Sequence, residues 1–201
     1  MDTRQVVRDD TGTMRCRECG FPYALSPLEV AERADHALAT VREAVAAVPV
    51  ELRGRRPSPA VWPVNAYVAH LAEAAAVIAG RIQAIIARDR PPLASYDQDQ
   101  TARVGRFDER PADDSLIALR PTVDACTAEI RGLAPGSWER MGLHAEAGEV
   151  RLSDIAHDLA HELEHHATDI RRVGTDVELQ RTEGNGPARD AHHEGDPDND
   201  L

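Results

Sequence analysis

The sequence has no lysine, three cysteines, and only two Trp, three Tyr and two Phe in 201 residues. All 23 basic residues are therefore arginine. Three cysteines are too few for a disulfide scaffold, so reduced thiols are expected. With few aromatic side chains, the core must consist mainly of Ala, Leu, Val and Ile. That composition favours packed helices over a β-sandwich.

Long apolar runs are also missing. No stretch approaches 18 consecutive apolar residues, and the opening MDTRQVVRDD has no apolar core of a signal peptide. The formal charge is −12 and the sequence pI is about 5.1, which argues against general nucleic-acid binding. The expected protein is cytoplasmic, without a membrane or nucleic-acid partner.

Apolar residues recur at helical spacing in four long segments. The predicted helices cover about residues 26–48, 63–89, 113–132 and 153–173. Ser26-Pro27-Leu28-Glu29 is a capping-box start for the first helix, and Gly174 is predicted to end the fourth. Residues 93–112 are expected to form a loop or short helical turns, and residues 134–151 a turn or short hairpin.

These elements predict an all-α fold, a four-helix bundle, over residues 26–174. Residues 1–25 form a polar extension that contains a C-x-x-C pair. Residues 175–201 are acidic and rich in Gly and Asp, which predicts a disordered tail.

The letters HELEHH at positions 161–166 contain two overlapping motifs. His161, Glu162 and His165 satisfy H-E-x-x-H, the zinc metalloprotease signature. On a helical wheel, however, His161 and His165 lie about 165° and 125° from the centre of the apolar stripe. His166 and Glu162 lie only about 25° and 65° from it. This favours Glu162 and His166 as the inward pair, and an outward stripe of His157, His161 and His165 without a role.

His70 offers a third ligand on the second predicted helix, at the edge of its apolar stripe. Small neighbours, mostly alanines, would let another helix approach closely. Two histidines and a glutamate with an open position are typical of a catalytic zinc site. The alternative for His70 is a hydrogen-bonded core histidine without a metal.

At these residues the sequence resembles the DinB-like superfamily, and within it the mycothiol-dependent maleylpyruvate isomerase type. VWPVNAYVAHLAE is similar to the family's second-helix signature, and ELEHHATDI to its last-helix signature E-x-x-x-H-x-x-D-[LI]. The resemblance covers roughly three-quarters of the chain. The isomerase carries a further C-terminal domain that this chain is too short to contain.

The resemblance implies a divalent metal, usually zinc, held by His70, Glu162 and His166. It also implies a low-molecular-weight thiol cosubstrate, mycothiol in actinobacteria, that reacts with a small-molecule electrophile. The leading expectation is therefore a metal-dependent thiol transferase or isomerase. A non-catalytic, stress-associated metal-binding protein is the alternative, and the zinc metalloprotease is the weakest one.

Cys16 and Cys19, in CRECGF, are similar to one zinc knuckle and form a candidate structural zinc half-site. His144 or a second copy of the chain would have to supply the missing ligands, which leaves a homodimer open. Unliganded structural thiols and a redox pair are the other interpretations. Cys126 is predicted to be a small core residue. The loop Tyr96-Asp97-Gln98-Asp99 could line the mouth of the bundle, but a solvated acidic loop is the simpler interpretation.

Overall fold

Four long helices form a bundle in this computed structural model, which describes residues 6–184. They are α1 (Pro27–Ala46), α2 (Val64–Ala87), α4 (Ala112–Arg131) and α5 (Leu152–Gly184). α1 and α2 each pack against both α4 and α5, so α4 and α5 lie on opposite sides of the bundle. The predicted four-helix bundle is confirmed, and it places α2 directly beside α5.

The start of α1 shows how the sequence sets a helix boundary. Ser26 accepts a hydrogen bond from the backbone N–H of Glu29, and the Glu29 carboxylate accepts one from the backbone of Ser26. This reciprocal pair satisfies two N–H groups that have no partner inside a helix. The predicted capping box is therefore present.

The core is aliphatic, as the composition requires. Its fully buried side chains include Leu71, Ile82, Leu119, Leu159 and Ile170, contributed by three of the long helices. Cys126 is 1% exposed on α4 and packs in this core, as predicted. The helix α2 has a mean hydropathy of 1.3 over 18 residues, enough by length and composition alone to cross a membrane. Here it is a core helix that packs on α4 and α5.

Short elements connect the long helices. α3 (Gln98–Val104) and a 3-10 turn (Phe107–Glu109) occupy the segment predicted as a loop or short turns. The strands β4 (Met141–His144) and β5 (Gly148–Arg151) form the predicted hairpin. β3 (Pro92–Leu93) adds to β4 in parallel and completes a three-stranded sheet.

The N-terminal extension is more ordered than its polar sequence suggested. β1 (Val6–Arg8) and β2 (Met14–Cys16) pair as an antiparallel hairpin. We call residues 6–25 the N-terminal segment. Its Phe21 is completely buried and belongs to the same core as the bundle.

The end of α5 differs from the prediction. The helix continues through Gly174 to Gly184, and Val177, beyond the expected end, is 1% exposed. A Cβ atom at Gly174 would lie 2.4 Å from Cγ2 of Val48, so the glycine permits a close approach and does not end the helix. Residues 175–184 of the predicted tail are therefore helical, and the rest of the tail lies outside the described residues.

Candidate metal centre and its pocket

His70, Glu162 and His166 come together where α2 packs against α5. Each offers one ligand atom, and the three atoms lie within 4.8 Å of one another. The Nε2 of His70 is 3.0 Å from Oε2 of Glu162, and the Nε2 of His166 is 3.3 Å from the same oxygen. The structure thus brings together the three residues that the sequence singled out.

Electrostatics keep Glu162 in the form that binds a cation. Burial opposes its ionisation, but hydrogen bonds to His166 and His70 hold the pKa of this carboxyl well below its usual range. The side chain is still 31% exposed, because one side of it opens into a pocket. An ionised carboxylate and two imidazoles fit a divalent ion such as zinc.

Asp169 fixes the orientation of His166. Its Oδ2 accepts a hydrogen bond of 2.9 Å from Nδ1 of His166, and its Oδ1 accepts one of 2.7 Å from Arg172. Burial alone would lower the pKa of His166, but the carboxylates of Asp169 and Glu162 raise it to about 9. With Nδ1 engaged by Asp169, Nε2 is the nitrogen directed at Glu162. A carboxylate behind a ligand histidine is the usual support of a metal site.

A pocket of about 460 Å³ opens beside the three ligands. His70, Glu162 and His166 line it together with residues from α2, the β4–β5 hairpin and the N-terminal segment. Three protein ligands that border a space for a small molecule are the arrangement of a catalytic metal site, since structural sites are closed by four.

The pocket also contains polar residues that the sequence analysis did not select. Arg81, eleven residues after His70 on α2, donates hydrogen bonds to the carbonyl of Ala94 at 2.7 Å and to Nε2 of His144 at 3.1 Å. Its Nε and the hydroxyl of Tyr96 are buried and have no hydrogen-bond partner among the described residues. Burial raises the pKa of Tyr96 to about 12, so it stays a neutral donor. In the sequence, Arg81 is recognisable as unusual because it is a single arginine within the apolar run AVIAGRIQAII.

Tyr96 and Gln98 border this pocket, so the loop at its mouth is more than a solvated acidic segment. Asp97 has a different task, because its side chain accepts a hydrogen bond from the backbone of Gln100 and caps α3. His144 lines the same pocket. It does not take part in the Cys16–Cys19 cluster, for which it was one of the alternative ligands.

The histidines of the predicted outward stripe, His157, His161 and His165, lie in a different environment from His166. The predicted outward stripe is wrong, because the N-terminal segment covers it. His157 is 5% exposed and accepts a hydrogen bond of 3.1 Å from the backbone N–H of Leu25. The ring of His161 lies 5.5 Å from that of Phe21, and His165 is 13% exposed. A helical wheel locates residues relative to the bundle core and could not reveal this second covering layer.

Cys16, Cys19, His161 and His165 form a second group of metal-ligand type, with one atom of each within 4.8 Å of the others. Burial raises the pKa of Cys19 to about 12, so the thiol is protonated unless a cation lies beside it. Burial lowers the pKa of His161 to about 4, so its imidazole is neutral. The residues of the H-E-x-x-H motif therefore lie in two different clusters. Glu162 lies beside His70 and His166, whereas the two histidines of the motif lie beside the cysteines.

Comparisons with known proteins identify a family and a similar fold. A profile described as the DinB superfamily matches residues 33–170, which include all three residues of the candidate metal centre. Among solved structures, the chain is similar to YfiT from Bacillus subtilis, with 19% identity and a TM-score of 0.65. The match covers 80% of this chain and 91% of YfiT, which is described as a probable metal-dependent hydrolase with an unusual four-helix bundle topology. No curated protein matches the chain significantly.

Proposed function

The chain belongs to the DinB superfamily, and on that premise we propose that it is a zinc-dependent enzyme using a low-molecular-weight thiol such as mycothiol. It would transfer the thiol to a small electrophile, or use it to isomerise that electrophile. One observation carries the proposal: His70, Glu162 and His166 converge at the edge of a pocket with room for small reactants. The reducing cytoplasm is where such a thiol would be available.

A divalent ion bound by these ligands would supply Lewis acidity that lowers the pKa of a thiol and keeps its sulfur nucleophilic. The chain's own residues would do the rest. Asp169 holds His166 in one tautomer. Tyr23, from the N-terminal segment, forms part of the pocket wall.

The unpaired donors of the pocket indicate what the electrophile carries. Arg81 Nε and the Tyr96 hydroxyl lack partners among residues 6–184, and a buried unsatisfied donor costs about 1–3 kcal/mol. The positive charge of Arg81 would attract a carboxylate or another anionic group on the substrate, and small movements of both side chains would bring the two buried donors within reach of it. We therefore expect a small organic anion as the electrophile, oriented by Arg81 and Tyr96.

Asp158 supplies a candidate proton carrier on the same wall. Burial raises the pKa of this carboxyl to about 7, so it can accept or donate a proton near neutral pH. It lines the pocket on α5, one turn before Glu162. In the proposed thiol reaction this group would take up the thiol proton or protonate the anion formed when the thiolate adds, and would exchange that proton again when the thiolate leaves.

The test uses the variant Cys16→Ser/Cys19→Ser/Cys126→Ser, in which only an added thiol can supply sulfur. Its cobalt-substituted form should develop a sulfur-to-cobalt charge-transfer band when mycothiol is added, with release of about one proton per site. Introducing His70→Ala, Glu162→Ala or His166→Ala should abolish both the band and the bound metal. His36→Ala, an exposed position on α1, is the matched control and should change neither.

A cobalt spectrum that ignores millimolar mycothiol and other small thiols, in the wild type as well as in the cysteine-free variant, would refute the thiol function. The alternative of a metal-binding protein without thiol chemistry would then lead. A metal-dependent hydrolase, as YfiT is described, needs the same ligands but no thiol. Turnover of an ester or amide without added thiol would favour that alternative.

A further inference from the structure

We propose that Cys16, Cys19, His161 and His165 form a structural zinc site that fastens the N-terminal segment to α5. The site is separate from the centre of His70, Glu162 and His166, with which it shares no ligand. It completes the half-site of the C-x-x-C pair within one chain, so no second copy is needed.

Distances among the four side chains suit a tetrahedral ion. All four ligand atoms lie within 4.8 Å of one another, and Sγ of Cys16 is 3.7 Å from Nδ1 of His165. With Zn–S of about 2.3 Å and Zn–N of about 2.0–2.1 Å, two ligands on a tetrahedral zinc are about 3.6 Å apart. The Cys16–His165 pair is therefore already at ligand spacing.

The backbone around the cysteines has the form of a zinc-binding turn. Gly20, directly after Cys19, has a φ of 75°, which a glycine adopts without strain. Its N–H donates to the carbonyl of Cys16 at 2.9 Å, and the Cys16 N–H donates to the carbonyl of Phe21 at 2.9 Å. The turn holds both thiols on the side of α5.

The histidines are prepared as ligands in two different ways. The Nε2 of His165 lies 3.3 Å from a carboxylate oxygen of Glu18 and 3.6 Å from one of Asp169. These carboxylates favour a proton on Nε2 and leave the lone pair of Nδ1 directed at Cys16. The Nε2 of His161 is buried and has no hydrogen-bond partner in the described part of the chain. A bound metal ion would give this buried nitrogen the partner that it lacks.

Ligand number distinguishes this site from the other one. Two thiolates and two imidazoles complete four-coordinate zinc and leave no position for water or substrate. The spacing C-x2-C with H-x3-H is the usual one for structural zinc, although here the two halves come from distant parts of the chain. A zinc ion at this site would hold part of the pocket wall in place. The N-terminal segment that it fastens carries Val6 and Tyr23, which line the pocket of the metal centre.

The experiment measures zinc per chain by elemental analysis of the purified protein. The wild type should hold two ions. Cys16→Ser/Cys19→Ser and His161→Ala/His165→Ala should each hold one, and so should His70→Ala, which affects only the other centre. Cys126→Ser is the matched control, since it removes a buried thiol of α4 outside the cluster and should retain both ions.

Cobalt substitution gives a second readout. The spectra of the wild type and of His70→Ala decide it, whether or not the cysteine variants fold. Without added thiol, the wild type and His70→Ala should both show a sulfur-to-cobalt band, and Cys16→Ser/Cys19→Ser should not. A wild type that binds a single ion, lost in His70→Ala, would overturn the proposal, as would a thiol-free cobalt protein without that band. Both readouts use no added thiol, so their failure is distinguishable from a failure of the thiol function.

Discussion

Neighbouring residues of α5 serve different sites because successive side chains of a helix point about 100° apart. His161 and Glu162 are adjacent, yet the first adjoins the cysteines and the second adjoins His70. His165 and His166 repeat the division one turn later. Asp169 adjoins both histidines, since its Oδ2 lies 2.9 Å from Nδ1 of His166 and 3.6 Å from Nε2 of His165.

Asp169→Asn tests this supporting role. The amide keeps the size of the side chain but loses the charge that orients His166 and stabilises its Nδ1–H. We expect the affinity of the His70–Glu162–His166 centre for zinc to fall about 10–100-fold, the usual effect of losing such a partner. Competition with a zinc chelator measures it.

Asp176→Asn is the control, because Asp176 is exposed on the same helix two turns later. An Asp169→Asn variant that binds zinc as tightly as Asp176→Asn would show that Asp169 does not orient the ligand.

Among the elements, α5 is where local sequence signals and tertiary packing disagree. Glycine after a run of helical periodicity predicts a helix end. In the structure, Gly174 lies inside the helix because Val48 packs directly on it. The cost of a glycine in the helix, about 1 kcal/mol, is offset by this close contact.

A pair of substitutions separates the cost of a glycine in a helix from the benefit of the close contact with Val48. Gly174→Ala should destabilise the protein by about 1–3 kcal/mol, since its new methyl group would collide with Val48. Gly80→Ala, in α2, meets nothing within 4 Å and should stabilise by up to about 1 kcal/mol. Thermal melting of both variants gives the signs, and a Gly174→Ala protein that melts above the wild type would contradict the packing explanation.

At the scale of the whole molecule, the bundle and the inward position of three candidate ligands could be predicted, because both follow from spacing within single helices. The stripe of α5 located Glu162 and His166, and the edge of the α2 stripe located His70. The covering of His157 and His161 could not be predicted, because it depends on where a separate, polar-looking segment packs. Arg81 was missed for a similar reason, since only the position of the β4–β5 hairpin shows that this part of α2 borders a pocket.

The C-x2-C and H-x3-H patterns were both visible in the sequence, but their separation concealed that they belong together. Cys16 and His165 are 149 positions apart, and both histidines were predicted to lie on an outward stripe without a role. Pairing them required the antiparallel hairpin at the N-terminus and the buried Phe21, which bring the turn onto α5.

That separation has a consequence for biosynthesis. At about 5–20 residues per second, a ribosome makes His165 roughly 7–30 s after Cys16, so the thiols emerge long before the surface that buries them. Docking of the N-terminal segment on α5 therefore cannot begin until α5 has been synthesised, and we expect it to follow formation of that helix. During refolding, a pulse of thiol-labelling reagent should still modify Cys16 and Cys19 after the helical circular-dichroism signal has returned. Protection of both thiols before that signal would show that the nascent hairpin is buried by some other contact.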